Sequence, residues 1–211
     1  MKQDPAAPGY PGAASFLAST VPFLGLSPAM PREQKIKPFD WPALLQKLRD
    51  ELAALDESDR QWFRSRLDSI AAIQLDLDNL FHVADGVRTC AVCAGACCAC
   101  GRHHLTLTNL LTYLLADEAP PAPDLDKTCP YLGESGCRLS VDRRPYNCIT
   151  FFCEQLEANL SAADRQQLRL LDRQLRQEYQ CLAERYPSAS LRGLWIALER
   201  IDGGNILFTK Q

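Results

Sequence analysis

Apolar residues recur with helical spacing on both sides of a middle stretch where that spacing breaks down. Leu44, Leu45, Leu48, Leu52 and Leu55 share one face of a predicted helix over residues 41 to about 55. Asp40 stands as its N-cap and Pro42 in its first turn. A second stripe of Phe63, Leu67, Ile70, Ile73, Leu77 and Leu80, flanked by Trp62 and Phe81, predicts a helix over about 59–84. Ser58 and Gln61 have capping-box spacing at its start, and Gly86 reads as its stop. Far along the chain, Leu168, Leu171, Leu175, Tyr179 and Leu182 line one face of a helix over 162–185, with Ser161 before it and charged residues opposite. Tyr186-Pro187 ends that helix. Ser190 reads as the cap of a last one over 191–201, bearing Leu194, Trp195 and Leu198. A Gly203-Gly204 turn then lets Ile206, Leu207 and Phe208 pack down the end.

Between these flanks only residues 109–116 form an apolar helix, capped by Thr106 or Thr108. The stretch 117–127, with Pro120, Pro121 and Pro123, reads as a loop. Residues 1–38 hold seven of the fourteen prolines and read as a disordered arm, on which Phe16, Leu17, Val21, Phe23 and Leu24 are available for docking. The expected fold is mainly α. A single helical domain over 39–211 forms a bundle that carries a loop-rich, metal-stapled segment over 88–155.

That segment holds nine of the ten cysteines: Cys90, Cys93, Cys97, Cys98, Cys100, Cys129, Cys137, Cys148 and Cys153. A C-x-x-C step aims two sulfurs at one centre, and four thiolates suit tetrahedral zinc or an iron–sulfur cluster. Gly95 permits a tight wrap that returns Cys97 and Cys98 towards Cys90 and Cys93. Adjacent side chains diverge, so Cys97 and Cys98 serve two sites or bridge two metals. Eight thiolates, leaving Cys100 aside, fill two four-coordinate sites; alternatively four hold one cluster and the rest are spare. Cys100 is open between an extra ligand, a replacement and a small buried residue. His103 and His104 are available as nitrogen ligands, at most one of them; the plainer reading is an exposed loop. Arg144, held extended by Pro145, is placed to donate to cluster sulfurs or to sit in a solvated turn. Cys181 lies far away on a predicted helix and reads as a packed free thiol, and His82 as a structural or exposed residue. The run 129–153 has few apolar positions, which assigns its cohesion to metal. A disulfide framework fits the vicinal spacing poorly.

Composition narrows the partners. With 46% apolar residues, 23% charged residues and a net charge of -3, the chain shows no Lys/Arg run of the kind nucleic acid requires. No stretch of membrane-spanning length is apolar throughout, and Pro22 and Pro28 interrupt the mildly apolar residues 13–30. A cytoplasmic protein with reduced thiols is expected, with no nucleic acid and no membrane as partner. A protein partner for the arm is open. No G-x-G-x-x-G, H-E-x-x-H, P-loop or G-x-S-x-G occurs.

The pattern C-x-x-C-x-G-x-C-C over 90–98, followed by Cys129-Pro130-Tyr131-Leu132, Cys137, Arg144-Pro145, Cys148 and Cys153, resembles the YkgJ-type cysteine-cluster family, described as a zinc- or iron-chelating domain. The resemblance covers about a third of the chain. It implies metal binding by Cys90, Cys93, Cys97, Cys98, Cys129, Cys137 and Cys148, with Cys153 joining them, in a bacterial cytosolic protein. Flagellin lysine methylase is similar in its cysteine cluster, which keeps open an iron–sulfur enzyme of redox or methyl-transfer type, built around a 4Fe-4S cluster. The chain departs from the pattern at Leu139-Ser140, at Ile149 and in the extra Cys100. The expected function is a metalloprotein whose zinc or iron is structural, stored or passed on. An enzyme and an interaction module are the alternatives.

Overall fold

The computed structural model describes residues 40–93, 96–134, 136–201 and 204–209, apart from the side chains of residues 99, 100, 102 and 103. The arm, with its expected disorder and docking role, lies outside the described residues. The described chain is mainly helical: α1 Trp41–Ala54, α2 Glu57–Val83, α3 Gly86–Val92, α4 Leu107–Leu115, α5 Tyr146–Thr150, α6 Glu154–Asn159, α7 Ala162–Arg185 and α8 Leu194–Glu199. One hairpin pairs β1 Leu132–Gly133 with β2 Gly136–Cys137, antiparallel, with Leu132 opposite Cys137. Among the described residues no helix is long and apolar enough to cross a membrane.

The long helices α2 and α7 form the spine. They run antiparallel, since Asp59 near the start of α2 meets Arg185 and Tyr186 at the end of α7. Midway, Glu178 accepts from Arg66 at 3.1 Å and Ser69 at 2.9 Å. Leu77, Leu175 and Leu182 between them are fully buried, as are Leu48 of α1, Leu110 and Leu111 of α4, and Leu194 of α8. At about 1.5–3 kcal/mol for each fully buried large apolar side chain, this core is the main source of cohesion. The C-terminal strip is clamped by Glu51 of α1, whose carboxylate accepts from the backbone N–H of Ile206 at 3.0 Å and of Leu207 at 2.7 Å.

The helix expectations held best where periodicity and caps agreed. The α1 helix starts after Asp40, which accepts from the Ala43 N–H at 2.9 Å. The α7 helix begins behind a Ser161/Asp164 capping box and buries the five predicted residues of its stripe. Elsewhere the local chemistry differs. The N-cap of α2 is Asp56, whose carboxylate takes the Asp59 N–H at 2.7 Å, and Ser58 only donates to Asp56. An earlier acceptor with acidic residues in the first turn suits the positive helix end better than the serine box. Within α2 the buried position is Gln74, with Ile73 half-buried, because a polar partner waits on the facing segment.

Gly86 is not the stop. Asp85 takes the left-handed conformation at φ 55°, and Gly86 opens α3. Its lack of a side chain has another cause: a Cβ there would lie 2.4 Å from the Phe81 ring. The last helix starts at Leu194 rather than 191, and Ser190 instead accepts from the Arg192 N–H. Leu194 and Ala197 are its buried residues, while Trp195 rests tilted against Trp41.

The cysteine segment is less loop-like than expected. Its first run is α3 followed by a 3-10 stretch over Ala96–His103, consistent with alanine's high helix propensity at three of their positions. Its second run does not lack apolar anchors: Tyr131, Leu139, Tyr146, Ile149 and Phe152 are all buried. The proline loop falls where predicted, and α4 begins at Leu107 behind Thr106, two residues before the expected 109.

Candidate metal centre

Two buried amides hold the return half of the cysteine segment against the bundle. Asn109 of α4 donates from Nδ2 to the carbonyls of Arg143 at 3.2 Å and Arg144 at 3.1 Å. Its Oδ1 accepts from the Thr106 N–H at 3.0 Å and the Thr106 hydroxyl at 2.8 Å. Gln74 of α2 donates to the same Arg144 carbonyl at 2.6 Å. Pro145 follows, then α5 with Cys148. Backbone carbonyls that cannot reach water must find donors, and these two side chains supply them. Polar residues inside an otherwise apolar stripe were the available sequence signal for both.

The hairpin carrying Cys137 is tied to the proline loop. Arg138 donates from Nη2 to the carbonyls of Ala122 at 2.9 Å and Pro130 at 2.8 Å, and its N–H reaches the Tyr131 carbonyl at 2.8 Å. Cys129 ends the loop against Gly101, where a Cβ would lie 3.0 Å from the Cys129 sulfur. Glycine at 101 is therefore what lets the two cysteine runs touch. His104 adds a second contact, with Nδ1 3.3 Å from the Cys148 sulfur.

At the other end, Cys90 is half-buried on α3, and Cys93 terminates that helix with its sulfur 3.5 Å from the Cys90 carbonyl. Three residues apart on a helix, the two share a face. Cys153 is the residue before α6, and α6 packs on α3. Asn159 at the far end of α6 donates to the Ala84 carbonyl at 2.9 Å, which ties α6 to the end of α2 just before α3.

Electrostatics links the thiols into one chain of neighbours, with Cys97 acting on both Cys90 and Cys98. Burial pushes the Cys90 thiol up, and the neighbouring Cys93, Cys97 and Cys153 push it further. Burial pushes Cys98 up to about 11, with Cys97, Cys129 and Cys137 adding to it. Desolvation raises Cys148 as well, although the residue keeps an exposed surface. Cys137, Cys129 and Cys98 add to that rise, and Arg144 opposes it. A nucleophilic cysteine shows the opposite shift, in electropositive surroundings.

Every preferred ligand, from Cys90 to Cys153, therefore has thiol neighbours, and no described cysteine forms a disulfide. Arg144 lies close enough to oppose the rise at Cys148, but its Nε donates to the Leu139 carbonyl at 3.4 Å rather than to sulfur. The side chains of Cys100 and His103 lie outside the described residues, and it is His104 that meets a thiol. Cys181 sits on α7 beside Gln177, Gln180 and Glu184. His82 faces Asp78 on the surface of α2. Among the described residues, no three cysteine, histidine, aspartate or glutamate side chains converge closely enough to hold one ion. The donor chemistry fits a thiophilic metal, and closing it around an ion requires the segment to contract.

No family model, curated protein or solved structure matches the chain. The class defined by the fold and the site is a mainly helical protein with crowded thiols at one part of its surface.

Proposed function

We propose that the protein binds zinc or an iron–sulfur centre through Cys90, Cys93, Cys97, Cys98, Cys129, Cys137, Cys148 and Cys153, and that the metal is structural, stored or passed on. One observation carries this reading: two cysteine runs separated by a helix and a proline loop meet thiol against glycine and thiol against imidazole, at Cys129–Gly101 and Cys148–His104. Burial and mutual repulsion raise the thiols' pKa. A bound cation reverses that balance, because coordination stabilises the thiolate. The resemblance of the spacing to YkgJ-type proteins points the same way. A cytoplasmic location, where thiols stay reduced, goes with this reading.

The test is to purify the full chain anaerobically and measure zinc, iron and acid-labile sulfide per chain. Zinc without sulfide supports a structural or transfer role. Iron with sulfide supports a cluster and brings forward the iron–sulfur enzyme, similar to flagellin lysine methylase. A folded chain holding neither metal, with its clustered cysteines paired as disulfides, overturns the proposal.

A further inference from the structure

We infer that the outer face of α7 is a docking surface for a short acidic segment of a partner protein, held by Arg165, Arg169, Arg173 and Arg176. The inference is independent of the metal-binding reading above.

The four arginines form a row. At about 100° of turn and 1.5 Å of rise per residue, they fall within about 80° of arc and run about 16 Å along the helix. They lie beside the buried stripe of Leu168, Leu171, Leu175, Tyr179 and Leu182. Arg169, Arg173 and Arg176 are exposed and Arg165 is half-buried. Local helix chemistry disfavours this arrangement. Arg165, Arg169 and Arg173 repeat like charge at i, i+4, which destabilises a helix. Arg165 also stands in the first turn, at the positive end of the helix. A local rule broken on an exposed face is expected where a function requires it.

The carboxylates of α7 are engaged elsewhere. Asp164 closes the capping box with Ser161. Asp172, at the edge of the row, accepts from the Tyr146 hydroxyl. Glu178 faces Arg66 and Ser69 of α2, and Glu184 accepts from Gln180 at 3.0 Å. Among the described residues none of the four arginines forms an ion pair. Arg165 donates to the Glu157 carbonyl at 3.1 Å and Arg176 to the Tyr146 hydroxyl at 2.7 Å, and neither neutral oxygen cancels their charge.

The row also selects its partner. Every basic residue of α7 is arginine, whose planar fork matches the two oxygens of a carboxylate. Arg173 and Arg176 border a shallow depression with Gln177 and Gln180, whose amides add neutral donors. The row is only about three turns long. A nucleic-acid strand or a membrane extends past it, and the chain as a whole, at a net charge of -3, repels them there. A short helix with carboxylates four residues apart matches the row step for step.

The test measures fluorescence anisotropy with the full chain and a labelled helical peptide bearing glutamate at every fourth position. Controls are the same peptide with glutamine in those places, a single-stranded DNA of equal charge, and phosphatidylserine vesicles. The glutamate peptide should bind more tightly than any control, and less tightly as salt rises. The double variant Arg169→Gln/Arg173→Gln should weaken it about tenfold without lowering Tm. Arg88→Gln, at a residue paired with Asp85, should leave binding unchanged. Absence of peptide binding, equal binding by the double variant, or tighter binding of the DNA or the vesicles overturns the inference. The comparison among the four probes is read on the unmodified chain, so a variant that fails to fold does not remove the test.

Discussion

Replacing Asn109 by alanine removes four hydrogen bonds at once, and their geometry sets the cost. Asn109 is 2% exposed, so no water can take over its role. The Thr106 N–H, on a residue 1% exposed, loses its acceptor, and the carbonyls of Arg143 and Arg144 lose a donor each. A buried group left unpaired costs about 1–3 kcal/mol. The Arg144 carbonyl keeps Gln74 at 2.6 Å, which limits its share. The total comes to about 3 kcal/mol, or a fall in Tm of about 6–12 °C for a domain of this size. Thermal unfolding followed by circular dichroism at 222 nm reads it. The same variant should speed alkylation of Cys148, because the Arg143–Arg144–Pro145 rail leads straight into α5.

Two companion variants separate the contributions. Asn109→Asp keeps an acceptor for Thr106 but turns an oxygen towards two carbonyls, so it should be at least as unstable as Asn109→Ala. Gln74→Ala should cost about 1–2 kcal/mol. The double variant should cost more than the sum, since each amide backs up the other at the Arg144 carbonyl. A fall in Tm of less than about 2 °C for Asn109→Ala, or full stability for Asn109→Asp, would show that the return half is held by something other than these amides.

Further outcomes follow from the same contacts. Gly86→Ala should destabilise by about 1–3 kcal/mol through overpacking against Phe81, whose ring meets Phe152 beside Cys153; unchanged urea unfolding would mean that the ring turns away freely. The Arg143 guanidinium, hydrogen-bonded to Glu118, holds that carboxyl below the usual range. The pair therefore stabilises above the unfolded carboxylate pKa and is lost as pH falls through the lowered folded value. Glu118→Gln should flatten that acid limb in a stability–pH profile, and an unchanged limb would refute it. Cys181→Ser should leave metal content unchanged; a loss would move a ligand onto α7.

The sequence made the bundle legible because its long helices carry two independent signals that agree, a stripe and a cap. At α7 both point to one start, and the helix begins there. At the start of α2 they compete, and a carboxylate two residues earlier wins over Ser58. The site was legible as a set of thiols but not as a pairing, because pairing depends on contacts across tens of residues. Gly101 and Gln74 did not stand out in the sequence. Their reasons, the Cys129 sulfur and the Arg144 carbonyl, lie elsewhere in the chain. Gly86 shows the same limit: the residue type was noticed, but the ring that demands it belongs to the preceding helix.

The two halves of the cysteine segment are held in different ways, and that difference bears on what a metal does here. The return half buries Tyr131, Leu139, Tyr146, Ile149 and Phe152 and has its backbone gripped by Asn109 and Gln74. It forms a rail fixed to the bundle. The knot is the reverse. Among residues 87–104 whose burial is described, only Gly101 is buried, and it is buried against the rail's own Cys129. Bundle cohesion comes from fully buried side chains such as Leu48, Leu77, Leu175 and Leu182. On the proposed function, metal binding would have little folding to do in the rail and much to do in the knot, where binding free energy becomes ordering free energy.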